Sequence, residues 1–172
     1  MKKINLKKEI TFIFLFTTIY ILLSNAKSIS SNPFMHEILL TSGIIIPLLA
    51  GIILNSRIAF FVAIIGGFVN YFFITNEIDR LLVIIPNVFV GVIAGLIKCK
   101  FPSIMVALLI IPGNFIKYLL FNYFGVVNVF LFDKFDFLKA FIYENFIQFI
   151  TIIIIISIYR IIILDKKKTT CN

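Results

Sequence analysis

An all-α integral membrane protein, a six-transmembrane-helix bundle with both termini cytoplasmic, is the fold class predicted by three features of this chain. Six apolar stretches, each at or near the length that crosses a bilayer, take up most of its 172 residues. Hydrophobic residues make up 61% and charged residues 14%, where a soluble domain carries roughly 25% charged residues. The connections between the stretches are too short to fold by themselves, so residues 1–172 read as a single membrane domain. Such a surface aggregates in water and is at home in lipid.

The elements follow in order. Lys2, Lys3, Lys7 and Lys8 precede the first apolar run, and Ser24-Asn25-Ala26-Lys27 is a poor signal-cleavage site. A retained helix is expected over about 9–23. Ser24 to His36 is a polar connector with Ser, Asn and Pro turn chemistry. A second helix is expected over 37–54, a tight turn at Asn55-Ser56-Arg57, and a third helix over 58–74. A charged loop, Thr75 to Arg80, leads to a fourth helix over 81–97 that ends at Lys98-Cys99-Lys100. The fifth, over 101–124, starts at Phe101-Pro102, where proline suits a first helical turn. The aromatic and charged stretch between Val126 and Phe141 is expected to lie along the interface as a short amphipathic segment. A sixth helix over 142–164 closes on Asp165-Lys166-Lys167-Lys168.

Charge placement orients the layout, because cytoplasmic loops collect Lys and Arg. With both termini inside, the inner segments hold Lys2, Lys3, Lys7, Lys8, Arg57, Lys98, Lys100, Lys166, Lys167 and Lys168. The outer segments hold Lys27, Arg80, Lys134 and Lys139, mixed with Glu77, Asp79, Asp133 and Asp136. That asymmetry requires an even number of crossings. It also explains the net charge of +8 through topology and anionic headgroups. No basic face is large enough to follow a phosphate backbone, so nucleic acid is not an expected partner.

Small residues recur at four-residue spacing: Ala59, Ala63 and Gly67 in the third helix, Gly91 and Gly95 in the fourth, and Gly43, Pro47 and Gly51 in the second. Such faces let helix backbones approach closely. They serve packing within the bundle, or one of them (Ala59, Ala63 and Gly67, or Gly91 and Gly95) docks a partner subunit. Pro47, Pro86 and Pro112 fall inside expected helices, where each removes a hydrogen bond and invites a kink.

Costly polar residues gather at one depth. Asn70, Asn87, Asn114, Lys117, Asn122, Glu144, Asn145 and Gln148 all fall in the outer parts of the last four helices. The inner halves are nearly bare of them, apart from Arg160, which can snorkel. Polar side chains at membrane depth mark a functional site by default, and a wet pocket beneath the extracellular rim is the expectation. Lys117 points to a carboxylate-bearing solute unless Glu144 neutralises it; the alternative is a structural ion pair with interhelical amide bonds. His36 reads as a cap or interface residue. Cys99 and Cys171 lack metal-ligand spacing, and no metal or cofactor is expected. The residue sets of hydrolases, phosphate-binding loops and intramembrane proteases do not occur, so the chain is not read as an enzyme.

Three stretches resemble the substrate-specificity (S) components of energy-coupling factor transporters. "GIIIPLLAGIILNSRIAFFVAIIGGFVNYF" (43–72) is similar to that family's helix two, basic turn and helix three. "PNVFVGVIAGLIKCK" (86–100) looks like its helix four, and "ENFIQFITIIIIISIYR" (144–160) like its last helix. The resemblance implies a bacterial plasma-membrane protein that captures a small water-soluble vitamin or related micronutrient from outside. It would pass the solute inward through a transmembrane coupling subunit driven by two ATPase subunits, which use the ATP. It places the solute on Asn87, Asn114, Lys117, Glu144, Asn145 and Gln148, with Ser28 to Phe34 as a lid. One departure is visible: the family's first helix usually carries an alanine-x-x-x-alanine element, and "TFIFLFTTIYILL" has none. The competing class is a membrane scaffold, such as the small multi-helix protein of the bacterial rod-shape complex, which needs no solute.

Overall fold

A computed structural model describes residues 6–25, 42–75, 78–125 and 134–159. All regular structure there is helical, with no strand among the described residues. The elements are α1 (Leu6–Asn25), α2 (Ile45–Ile53) entered through a 3-10 turn (Ser42–Ile44), and α3 (Ser56–Val69) continued by a π-helical segment (Asn70–Thr75). Then come α4 (Ile78–Leu82), α5 (Ile84–Ile97), α6 (Ser103–Ala107), α7 (Ile110–Tyr123) and α8 (Lys134–Tyr159). Four helical stretches among the described residues are long and apolar enough to cross a membrane: Ser56–Phe73, Arg80–Ile97, Ser103–Tyr123 and Phe141–Tyr159.

The prolines account for the short pieces. Proline lacks an N–H, and its ring crowds the carbonyl four residues back. Leu82, four residues before Pro86, ends α4. Leu108, four before Pro112, opens the turn between α6 and α7. There the N–H groups of Leu108, Leu109 and Ile111 reach back only three residues, to Met105 (3.2 Å), Val106 (3.1 Å) and Leu108 (3.1 Å). Gly43, four before Pro47, lies in the 3-10 turn that opens α2. Ahead of Pro47 and Pro112 the backbone therefore tightens locally to three-residue reach.

Several expected boundaries move. The first helix runs Leu6–Asn25 rather than 9–23. The fourth begins at Ile78 and breaks at Val83, and the fifth breaks at Leu108 and Leu109. The largest correction concerns 134–141, expected to lie along the interface apart from the sixth helix. It is instead the first part of α8, continuous to Tyr159. Charge and aromatic content suggested a separate element, yet no Gly or Pro interrupts 134–159 and helix propagation meets no obstacle. Residues 37–41 and 160–164 of the expected helices, Arg160, and the proposed lid lie outside the described residues.

Helix α2 is the hub. Ile45, Ile46, Pro47, Leu48, Leu49, Ala50 and Gly51 are all buried, as a helix apolar all round must be. One side joins Val90 and Ala94 of α5, Val106 and Ala107 of α6, Ile110 of α7, and Ile152 and Ile156 of α8. The other side joins Tyr20 of α1 and Ile58, Ala59 and Val62 of α3. Large apolar side chains cover the outside, Phe14 at 74% and Phe73 at 82% exposure among them. Lipid tails are as apolar as this core, so the bundle is held by close packing and interhelical hydrogen bonds rather than by transfer from water.

Close packing explains the small residues. Ala59 and Ala63 are fully buried. A Cβ on Gly91 would lie 2.8 Å from the Pro47 carbonyl oxygen, and one on Gly51 would overlap the Gly91 carbonyl. A Cβ on Gly67 would overlap Ile84, and one on Gly95 would overlap the Ser56 backbone. All five residues expected to dock a partner are taken up by neighbours in this chain, because these faces are where its own helices come closest.

The directions of the helices follow from contacts at their ends. Glu9 at the start of α1 lies 3.8 Å from Arg57 at the start of α3. At that same end Asn55 caps α3, its Oδ1 accepting from the Ile58 N–H at 2.8 Å, and Lys98 donates to the Leu54 carbonyl. At the opposite end Arg80 donates to the Ser24 carbonyl at 3.2 Å. Both polar clusters described next sit toward this second end.

Candidate functional site

Asn114, Lys117 and Tyr118 are three and four residues apart on α7 and share a face. Glu144, Asn145 and Gln148 do the same on α8. These faces meet, since α7 packs against α8. Lys117 lies less than two turns from the end of its apolar span, and Glu144 one turn from the start of its own. The two faces therefore meet near adjoining ends of their apolar spans.

At the centre stands the Glu144 carboxylate. Its Oε1 accepts from Lys117 Nζ and from Gln148 Nε2 at 3.1 Å; its Oε2 accepts from the Tyr118 hydroxyl. Gln148 Oε1 accepts from Asn114 Nδ2 at 2.7 Å. The same Asn114 nitrogen donates to Asn145 Oδ1 at 3.1 Å. Asn145 Nδ2 turns back to the Phe141 carbonyl at 2.7 Å. Lys117 also lies 4.5 Å from the centre of the Tyr118 ring, and Tyr118 meets Phe141 edge to face.

Five of the six expected solute residues thus form one connected network, and Lys117 pairs with Glu144. Its amide core is buried, with Asn114 0% and Gln148 1% exposed, while Lys117 and Tyr118 are half-buried at its edge. The side chains expected to line a wet pocket bond to one another. A buried carboxylate and a half-buried ammonium in an apolar bundle favour this, since each must find a partner of opposite sign or a donor.

Asn87, the sixth expected residue, belongs elsewhere. Its Nδ2 donates to the Tyr20 hydroxyl at 3.0 Å. Ser24, Asn70 and the Arg80 charge stand around the same hydroxyl. Four elements contribute: α1, the π-helical segment, α4 and α5. The Tyr20 ring fits because Gly66 has no side chain; a Cβ there would overlap it. Asn70 opens the π-helical segment, a distortion often found at functional sites.

The sequence reading missed Tyr20, Ser24 and the inward role of Arg80. A signal existed. Thr17, Tyr20 and Ser24 follow three- and four-residue spacing on α1, a polar stripe on an apolar helix, and all three are buried. No group of three or more His, Cys, Asp or Glu among the described residues is placed to hold a metal.

The chain matches no protein-family model, and no curated protein or solved structure matches it significantly.

Proposed function

We propose that this chain is the membrane-embedded solute-binding subunit of an importer of the energy-coupling factor type. In this reading six helices cross the plasma membrane with both ends inside, and the α7–α8 network faces the outer half. It takes up a small water-soluble vitamin or related micronutrient and hands it inward with a transmembrane coupling subunit and two ATPase subunits. The observation that carries the reading is the Lys117–Glu144 pair, with Glu144 buried and Lys117 half-buried, joined to three amides and a tyrosine. So much polarity in an apolar bundle is costly to maintain, and a solute site explains why it sits there. A solute enters by exchanging bonds within this network.

A second reading has its own support. The network is largely satisfied from within, which suits a structural scaffold whose amides bind helix to helix. Thermal unfolding of the purified protein against a vitamin panel separates the two. Binding to the native state raises the midpoint, and Lys117→Ala and Gln148→Ala each weaken that response. Folded protein that answers to nothing in the panel, and co-purifies with cell-wall machinery rather than ATPases, supports the scaffold.

A further inference from the structure

The network has a direction, and the direction leaves one atom without a partner. Glu144 Oε1 accepts from Lys117, so Gln148 must turn its Nε2 toward it. That places Gln148 Oε1 toward Asn114, which must answer with its Nδ2. The second path gives the same result. The Phe141 carbonyl can only accept, so Asn145 Nδ2 faces it and Asn145 Oδ1 faces Asn114. Both paths fix the Asn114 amide one way round, independently of how either amide would be assigned alone. Its Oδ1 is left as a fully buried acceptor with no donor among the described residues. Buried acceptors without a donor are rare and call for a cause.

Asn87 Oδ1 is in the same condition on α5, though the Tyr20 hydroxyl would accept either orientation of that amide. The two helices touch beside these residues, where Val90 lies against Gly113. The charges, by contrast, are spent on each other: Lys117 is held by Glu144. A carboxylate solute would have to break that pair to gain Lys117. A donor-bearing solute that enters the network leaves the pair in place and supplies the donor Asn114 Oδ1 lacks.

We propose that Asn114 Oδ1 receives a hydrogen-bond donor from the solute, so that the solute class is an amine, amidine or other N–H-bearing compound and not a carboxylate. This inference rests on the solute-binding reading above.

The test uses the whole protein in detergent and four ring-matched probes followed by thermal unfolding. Benzylamine and benzamidine carry donors and positive charge; benzyltrimethylammonium has the charge without a donor; benzoate has the opposite charge. The first two are expected to raise the midpoint by several degrees in a concentration-dependent way, and the last two to leave it unmoved. Asn114→Leu is expected to abolish the response. Where that variant does not fold, the wild-type ranking decides. Stabilisation by benzoate, equal response to benzyltrimethylammonium, or full response in Asn114→Leu overturns the donor inference and leaves solute binding standing. Silence toward these probes and toward the vitamin panel overturns both.

Discussion

Glu144 receives three donors on two oxygens, and one of them is a half-buried cation. Removing only one charge leaves the other stranded among helices, which costs about 3 kcal/mol, the low end for a buried pair, because Lys117 keeps some exposure. Glu144→Gln and Lys117→Met are each expected to lose about that much. The double variant is expected to lose clearly less than the sum, because no charge remains unmet. Chemical unfolding in detergent micelles measures the cycle, and strict additivity would show that the two side chains do not pair. At this scale the sequence revealed depth but not partnership. Position along a helix sets how costly Lys117 or Glu144 is, and that can be read from the chain. Which way a side chain turns depends on which helices become neighbours. Hence Asn87, at nearly the same depth, was grouped with α8 when it belongs with Tyr20.

At the element scale, α2 and α5 approach to backbone contact. Their approach is set by Gly51 against the Gly91 carbonyl and by Gly91 against the Pro47 carbonyl. Gly51→Val puts side-chain carbons where backbone already lies. Overpacking typically costs about 1–3 kcal/mol, and the value here should reach the upper end because backbone, not a flexible side chain, must move. Ser157→Val on the exposed face of α8 is the matched control and is expected to leave the midpoint unchanged. Equal midpoints for the two variants in a thermal unfolding assay would mean that α2 and α5 are not in backbone contact. The elements were legible where one residue type dictates geometry. Pro86 and Pro112 mark breaks four residues upstream, and the glycine spacing marks close faces. The start of α8 was not legible, because charge and aromatic content say where a helix meets water or headgroups but do not end it.

For the whole molecule the open quantity is the number of crossings. Four stretches satisfy length and apolarity outright. Helix α1 is 20 residues long but begins with Lys7, Lys8 and Glu9, and α2 has only 9 described helical residues, about 14 Å of rise. An even total is demanded by the placement of Lys and Arg, yet four and six are both even. The interior supports six. Helix α1 turns Thr17, Tyr20 and Ser24 inward while Phe14 and Leu22 face outward, and α2 is enclosed by α1, α3 and α5. Helix α2 is packed against the spanning helices α3 and α5, and α1 runs along α3, so both are expected to cross. Cysteine labelling in intact cells checks this in a Cys171→Ser background. Cys99, already exposed beside Lys98, should react with a membrane-impermeant maleimide only after the cytoplasm is opened. In a background also lacking Cys99, Tyr123→Cys, at the opposite end and 82% exposed, should react from outside. Lys27→Cys distinguishes the counts: labelling from outside requires α1 to cross, whereas labelling only from within leaves four crossings and removes the outward-facing end that the Tyr20 cluster needs.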